Sequence, residues 1–202
     1  MLSAREITRL HDHLTRRWHE EDPAEPSAAD QWMDRVARQH RANYDLWHIE
    51  DEARTPGATD ADLAAVKRRV DTTNQLRNDR AEQLDGALLD WLAARGLPNC
   101  DAPLHSESPG LMIDRLSILA LKIYHTREEA ERPGAPEGHA ERNRGRLATL
   151  EEQRADLADC MDALWRDTLA GTRRFKLYRQ LKMYNDPTLN PAMYRKSTKD
   201  SA

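Results

Sequence analysis

A three–four spacing of apolar residues through residues 60–95 limits what this chain can fold into more than any other feature of the sequence. This spacing puts the apolar side chains along one face of an α-helix, and it persists for about five heptads. It therefore predicts one helix from Asp60 to Arg95 that packs along its whole length. The positions on the packed face are Leu63, Val66, Val70, Leu84, Leu88 and Trp91 or Leu92.

The composition agrees with a protein made of such helices. Charged residues make up 33% of the 202 residues, whereas the chain has 8 glycines and 1 phenylalanine. Long helices with solvated outer faces need many charged residues, and a sheet protein would need more β-branched and aromatic ones. The length suits one well-buried core. We therefore predict an all-α, single-domain helical bundle over residues 1–202.

Four further helices are predicted from the same spacing and from turn residues. The fourth is the central one, because "GLMIDRLSILALKIYH" is apolar on nearly every side. Only the short turn "TPGATD" separates helices two and three, so these two are expected to form a long antiparallel pair. The predicted boundaries are Ser3 to Glu20 for helix one, a start near Ala28 for helix two, Thr59 or Asp60 as the cap of helix three, Ser108 as the cap of helix four with Pro109 at its first position, and Gly171 as the end of helix five.

The C-terminal extension, residues 172–202, is basic and aromatic and then rich in turn residues. Interleaved basic and aromatic residues can bind nucleic acid, but the net charge of −4 gives the whole chain no general attraction to it. We expect the extension to fold back over the bundle, with Arg179 and Lys182 facing a bound anion.

Several classes of protein are not favoured by the sequence. The N-terminus has no apolar segment of signal length, and no apolar run approaches the roughly 20 residues that span a bilayer. Two cysteines are too few for a disulfide framework, which favours a reducing compartment. We expect a cytoplasmic protein with no membrane partner. The long heptad-like stripes could also form the seam of a homodimer.

Three stretches together are similar to one protein family. They are "LWHIEDEAR" with "VDTTNQLRND", then "SPGLMIDRLSILALKIYH", and finally "YRQLKMYNDPTLNP". In these stretches, which spread over most of the chain, the sequence resembles an uncharacterised bacterial family, domain of unknown function 4254. The resemblance implies a helical, bacterial protein. It implies no catalytic residues.

One flank of the packed face of helix three is polar. Five residues there fall within about 80° of one another and include no cation: Asp71, Asn74, Asn78, Glu82 and Asp85. On helix two, Trp47 and Arg54 share a face with two further acids. Hard cations take carboxylate oxygens together with phosphate and water. If the two helices are antiparallel, a Mg²⁺ or Mn²⁺ site is predicted from Glu50, Asp51, Asp71, Glu82 and Asp85.

Helix four carries the candidate catalytic residues Asp114, Lys122 and His125, which lie within about 80° of one another. A buried lysine is costly unless it is paired. Lys122 is therefore expected either to meet an acid, such as Asp71 or Asp85, or to enter a cavity that holds an anion. No nucleophile motif or glycine-rich phosphate loop accompanies these residues.

Other metal centres are not predicted. Cys100 and Cys160 have no CxxC partner, which argues against zinc. A di-iron bundle would need two ExxH motifs, and the chain has none, although Asp45 and His48 have that spacing.

Two functions remain open. In the first, the protein binds or hydrolyses a phosphorylated small molecule, a nucleotide or sugar nucleotide, in an acidic inter-helix pocket; the acidic spacing at Glu82 and Asp85 partly resembles that of all-α nucleotide pyrophosphohydrolases of the MazG type. In the second, it is a non-enzymatic helical scaffold or accessory protein whose polar residues form a buried structural network. The candidate ligand-binding residues are Trp47, Arg54, Asn74, Arg77, Asn78, Lys122, Arg179 and Lys182.

Overall fold

The computed structural model describes residues 2–21, 30–181 and 188–191, and this part of the chain is all-α. It holds no strand in that part; an isolated bridge joins Leu104 to Arg174. The predicted helical bundle is confirmed. The helices are α1 (Ala4–Glu20), α2 (Gln31–Glu52), α3 (Asp60–Ala93), α4 (Pro109–Glu131) and α5 (His139–Leu169).

Helices α2 and α3 form the expected antiparallel pair. Arg69, near the start of α3, pairs with Glu52 at the end of α2. Further along α3, Arg77 donates a hydrogen bond to the carboxylate of Asp114. Gln39 and Asn43, which lie earlier in α2, donate to the same carboxylate. Residues later in α3 therefore lie opposite residues earlier in α2, as in an antiparallel pair.

Helices α1, α2 and α4 run in the same direction. Thr15 on α1 contacts His40 on α2, with 2.9 Å between Oγ1 and Nε2. Three residues later in α1, the Trp18 carbonyl accepts a 2.8 Å hydrogen bond from the Tyr44 hydroxyl. His40 also contacts Ser117 on α4, with 2.7 Å between Nδ1 and Oγ, and later in both helices the rings of His48 and His125 meet, with 6.0 Å between centroids. The C-terminal ends of these three helices therefore lie at one end of the bundle.

Helix α4 is the centre of the core, as its sequence predicts. It packs against all four other helices, and its apolar residues are buried on several sides. The main core cluster combines α4 residues with others from every helix and from the extension, among them Ile7, Val36, Leu84, Leu88, Ile113, Leu116, Met161 and Phe175.

The predicted helix boundaries are close to the observed ones. Thr59 caps α3 in a reciprocal capping box with Asp62. Ser108 and Pro109 occupy the predicted first positions of α4, but the Ser108 hydroxyl makes no cap within its own helix. After α5, Gly171 adopts a φ of +71°, which glycine tolerates better than other residues.

The first half of α3 differs from the prediction that this helix packs along its whole length. Val66 is buried, but Leu63, a predicted position of the packed face, is 41% exposed. Since Arg69 lies opposite the end of α2, the first residues of α3 extend beyond the helix that would cover them. In the part of the chain that is described, no helix is long and apolar enough to cross a membrane.

The C-terminal extension lies on the bundle over the residues of it that the structure describes, 172–181 and 188–191. Phe175 is 1% exposed and belongs to the core. Arg174 exchanges backbone hydrogen bonds with the loop before α4, donating to the Pro103 carbonyl and accepting from His105. The Gln180 backbone N–H donates to a Glu82 carboxylate oxygen at 2.8 Å. Lys182 lies outside the described residues.

Candidate functional site

A buried polar network lies at the centre of the bundle, around Asp114 on α4. The Asp114 carboxylate accepts hydrogen bonds from Gln39 Nε2 at 2.6 Å, Asn43 Nδ2 at 2.9 Å and Arg77 Nε at 2.8 Å, and a further one from Arg77 Nη2. Asn43 also donates to Ser117 Oγ at 3.0 Å. Two helices, α2 and α3, thus supply donors to one carboxylate of α4, and the buried charge is fully paired.

The network continues into α1 through His40. Its two ring nitrogens contact Ser117 and Thr15, and its ring stacks on His11 with 4.5 Å between centroids. Burial lowers the pKa of His40 to about 3, so this histidine is neutral at physiological pH. It is a structural link between helices and is not available to a ligand.

Beside the network lies a cavity of about 320 Å³ between α2, α3 and α4. We call it the inter-helix cavity. Its lining combines apolar side chains with two guanidinium groups and two carboxylates. Its volume falls in the range of small-molecule sites. Its lining residues are Asn43, Leu46, Trp47, Glu50, Asp51, Arg54, Arg77, Ile118 and Leu121.

At the common C-terminal end of α1, α2 and α4, three histidines come together, and we call them the three-histidine cluster: His19, His48 and His125. One ring nitrogen of each lies within 4.8 Å of one from each of the others. The Nε2 atoms of all three are buried and make no hydrogen bond within the described part of the chain. Trp47 stacks face to face on His125, with 5.0 Å between ring centroids. The cluster therefore adjoins the inter-helix cavity through Trp47, which lines that cavity.

In two of these histidines the other ring nitrogen, Nδ1, already makes a hydrogen bond. His19 Nδ1 donates to the Thr15 carbonyl at 2.6 Å, and His125 Nδ1 donates to Glu128 Oε2 at 2.9 Å. In the neutral rings Nε2 therefore carries the lone pair. Burial, and next the neighbouring His19, lower the pKa of His48; burial likewise lowers the pKa of His125, against the opposing effect of Glu128. His48 and His125 are thus biased towards the neutral imidazole, the form that binds metals.

Asp85, a predicted metal ligand, is instead part of the junction between α3 and α4. Its carboxylate accepts hydrogen bonds from the Gly110 backbone N–H at 2.7 Å and from the Ser108 hydroxyl. Asp85 thus caps the N-terminus of α4 from a neighbouring helix, where the helix dipole favours an anion. Burial nevertheless raises its pKa to about 6.

The other polar residues of α3 are also placed apart from the inter-helix cavity. Asp71 pairs with Lys67 on its own helix, and Glu82 binds the extension through Gln180. Asn74 and Asn78 are half-buried, and Asn78 Nδ2 has no partner among the described residues. About 21 Å of helix rise separates Asp71 from Asp85, so these two carboxylates cannot hold one ion. Of the residues of α3, Arg77 lines the cavity.

The predicted residues of α2 are brought together, whereas those of α4 are not. Trp47, Glu50, Asp51 and Arg54 all line the inter-helix cavity. Lys122 is exposed, so the alternative in which it is buried against Asp71 or Asp85 is wrong, and the alternative in which it enters an anion-holding cavity stays a prediction. Lys122 lines a separate open cavity of about 710 Å³ beside α5. Its flexible side chain can reach solvent, so no buried acid is needed.

Arg179, which is predicted to face a bound anion, does not line the inter-helix cavity. It is exposed, and its Nη1 lies 3.6 Å from Glu82 Oε2. Within the described residues it therefore faces a carboxylate of α3 at the edge of the bundle.

Two residues of the three-histidine cluster, His19 and His48, were missed as site residues by sequence reasoning, because no short motif joins them. They lie on different helices, and only the parallel course of α1, α2 and α4 brings them together. One signal was present. Each of the three directly follows an aromatic residue, in the pairs Trp18–His19, Trp47–His48 and Tyr124–His125.

The fold and site define a class of protein: an all-α bundle with a buried polar centre, and with a histidine cluster where three parallel helices end. Residues 33–177 match a family described as "Protein of unknown function (DUF4254)". The match covers more than half of the chain, so the protein belongs to this family, as the sequence resemblance implies. Comparisons with curated proteins and with solved structures give no match.

Proposed function

We propose that the protein binds a phosphorylated small molecule, a nucleotide or a sugar nucleotide, in the inter-helix cavity. The observation that carries the proposal is the lining of this cavity, to which Arg54, Arg77 and the indole of Trp47 all contribute. Guanidinium groups suit phosphate oxygens, and an indole face suits a base or sugar ring. These residues are among the ligand-binding candidates of the sequence.

The charges of the cavity support a ligand that arrives with a divalent cation. Arg77 uses two of its five N–H donors on Asp114, which fixes the position of its guanidinium. Arg54 is paired with Glu50 in an exposed ion pair, and such pairs are easily exchanged for a ligand. Glu50 and Asp51 would then offer carboxylate oxygens to a Mg²⁺ or Mn²⁺ ion held by the phosphate. Hydrolysis of the bound ligand would need an activated water, which a metal ion can supply.

A thermal-shift titration with nucleotides and sugar nucleotides, each with and without Mg²⁺ or Mn²⁺, tests the proposal. A ligand at about 100 times its dissociation constant adds about 2.7 kcal/mol to the free energy of unfolding. Arg54→Ala should abolish this shift and leave the melting temperature of the free protein unchanged. Arg69→Ala is the matched control, because Arg69 is also an exposed, ion-paired arginine but does not line the cavity.

The second candidate function is a helical scaffold or accessory protein without a small ligand. It is favoured by the Asp114 network, whose donors from α2 and α3 lock three helices together. If no compound of the panel shifts the melting temperature, or if Arg54→Ala keeps the full shift, the ligand-binding proposal is wrong and the scaffold is preferred.

We further propose that the protein acts in the bacterial cytoplasm. The family resemblance supports the bacterial origin. Cys100 and Cys160 are both free and exposed, which suits a reducing compartment. Fractionation of a bacterial cell that expresses the untagged protein tests this location, and recovery outside the cytoplasmic fraction would contradict it.

A further inference from the structure

We propose that His19, His48 and His125 form a binding site for one divalent transition-metal ion, with zinc the ion that the arrangement suits best. This site is separate from the phosphate-binding role proposed above and does not depend on it. Four observations support it: the unpaired ring nitrogens, their hydrogen-bonded opposite sides, their spacing and their position at helix ends.

The unpaired nitrogens are the first observation. Buried polar atoms in folded proteins nearly always have a hydrogen-bond partner. Here three buried Nε2 atoms at one place have none within the described residues, and each belongs to a different helix. Loss of one hydrogen bond could be a local packing defect. Three buried ring nitrogens without partners, on rings whose nitrogens lie close together, are the arrangement expected of ligands to a cation.

The opposite sides of the rings are the second observation. A histidine that binds a metal usually donates its other ring N–H to a carboxylate or a backbone carbonyl, which fixes the tautomer and the ring orientation. His19 donates to the Thr15 carbonyl and His125 donates to the Glu128 carboxylate. Two of the three rings therefore already have the partners that metal-binding histidines have.

The spacing is the third observation. A Zn–N bond is about 2.0–2.1 Å, which puts two ligand nitrogens of a tetrahedral site about 3.3 Å apart. The ring nitrogens of the cluster lie within 4.8 Å of one another. Each pair therefore needs to close by about 1.5 Å or less to reach the geometry of a zinc site. Rotations about the side-chain torsions would supply this change.

The position at helix ends is the fourth observation. His19 lies in the last turn of α1, and His48 lies about one turn before the end of α2. The C-terminal end of a helix carries partial negative charge and favours a cation.

The donor atoms determine the class of metal. Imidazole nitrogens suit zinc, cobalt, nickel and copper, whereas Mg²⁺ and Mn²⁺ prefer oxygen. Three protein ligands leave the fourth tetrahedral position open, as in catalytic rather than structural zinc sites. Trp47 packs on one ligand ring and also lines the inter-helix cavity, so a metal here would lie next to the proposed ligand site.

The competing explanation is that the three rings serve only for aromatic packing. His19 stacks on Tyr124 with 4.3 Å between centroids, and His48 packs edge-on against Tyr44 at 4.4 Å. A phenylalanine would fill such a packing position and could not bind a metal. His48→Phe separates the two explanations, because the ring is kept and the nitrogens are removed.

The experiment uses tag-free, metal-stripped protein and the metal ions alone. Zn²⁺ is titrated by calorimetry, Co²⁺ is followed through the visible absorption bands of a tetrahedral complex, and bound metal is counted by mass spectrometry after dialysis. The wild type should bind one equivalent. The control His13→Gln changes an exposed histidine of α1 and should bind like the wild type.

His48→Phe should weaken binding by about 100-fold or more, since even loss of an outer partner costs about 10- to 100-fold. Glu128→Ala changes an exposed residue, so it keeps the fold even if His48→Phe does not, and it should weaken binding by about 10-fold. Binding below one equivalent in the wild type overturns the proposal. If His48→Phe folds and binds Zn²⁺ as tightly as the wild type, the proposal is also overturned. If His48→Phe does not fold, the proposal is overturned when Glu128→Ala binds Zn²⁺ as tightly as the wild type.

Failure here is distinguishable from failure of the phosphate-binding proposal. The metal titration contains no nucleotide and its variants leave Arg54 and Arg77 intact. Conversely, Arg54→Ala, which should abolish the nucleotide shift, should leave the binding of Zn²⁺ unchanged.

Discussion

Arg77 on α3 and Asp114 on α4 form a two-point ion pair in the interior of the bundle, with Arg77 Nε 2.8 Å from Asp114 Oδ1 and a second bond from Nη2 to Oδ2. The two side chains are only 24% and 10% exposed. The pair joins the two helices that line the inter-helix cavity with α2. It also holds Arg77 in position, and among the described residues of α3 this is the one that lines the cavity.

Removing one partner of this pair should destabilise the protein strongly. Arg77→Ala leaves the Asp114 carboxylate buried with only the amides of Gln39 and Asn43, so we expect a loss of about 3–5 kcal/mol in the free energy of unfolding. Urea denaturation monitored by circular dichroism measures it. The control Arg127→Ala breaks the exposed pair with Glu151 and should cost less than about 1 kcal/mol. Equal effects of the two substitutions would mean that the Arg77 pair is not effectively buried.

The pH dependence of stability should report on Asp85. Burial raises its pKa in the folded protein to about 6, above the ordinary value of 3.8. Between these two pH values the folded protein therefore holds the proton more tightly than the unfolded chain, and stability is lost as the pH rises through this window. The loss amounts to about 3 kcal/mol.

Asp85→Asn removes this ionisation. Between pH 4 and pH 7, the free energy of unfolding of Asp85→Asn relative to the wild type should rise by about 2.5 kcal/mol. Denaturation curves at a series of pH values measure it. Asp79→Asn, an exposed acid on the same helix, should follow the wild type at every pH. Parallel curves for all three proteins would show that the pKa of Asp85 is not raised.

Two glycines inside helices should respond in opposite directions to alanine. At Gly110 an added Cβ would lie 2.4 Å from the Ala81 carbonyl oxygen and 2.8 Å from Asp85 Cγ. Gly110→Ala therefore has to push α3 and α4 apart, and we expect it to destabilise by about 1–3 kcal/mol. At Gly86 nothing lies within 4 Å of such a Cβ, so Gly86→Ala should stabilise by about 0.5–1 kcal/mol. The melting temperatures of the two variants, compared with the wild type, test this prediction. A higher melting temperature for Gly110→Ala would contradict the close approach of α3 and α4 at Gly110.

The sequence predicts the helices well because their signals are local. The apolar spacing of α3, the all-round apolar surface of α4 and the cap at Thr59 each depend on residues within a few turns. The prediction fails where it depends on how far each helix extends along its neighbours. Leu63 is exposed because α2 ends before it can cover the start of α3, and no local pattern records that difference.

The site was predicted in part for the same reason. Trp47, Glu50, Asp51 and Arg54 share a face of one helix, so they reach one cavity together. The acids of α3 also share a face, yet each finds a different partner: Lys67 for Asp71, the extension for Glu82 and the N-terminus of α4 for Asp85. The three-histidine cluster depends on helices that run parallel without being joined by a short turn, and only the tertiary structure shows this.

The C-terminal extension should contribute to stability, although it follows the last helix. Phe175 is 1% exposed within the main core cluster, whereas Tyr178 on the same segment is 43% exposed. Phe175→Ala should therefore cost about 3–5 kcal/mol in the free energy of unfolding, and Tyr178→Ala should change it by no more than about 0.5 kcal/mol. A chain that ends at Gly171 should lose at least as much as Phe175→Ala, because it also loses the backbone bridge at Arg174 and the bond from Gln180 to Glu82. Urea denaturation of these three proteins measures the effect. If the shortened chain is as stable as the wild type, the extension does not support the bundle.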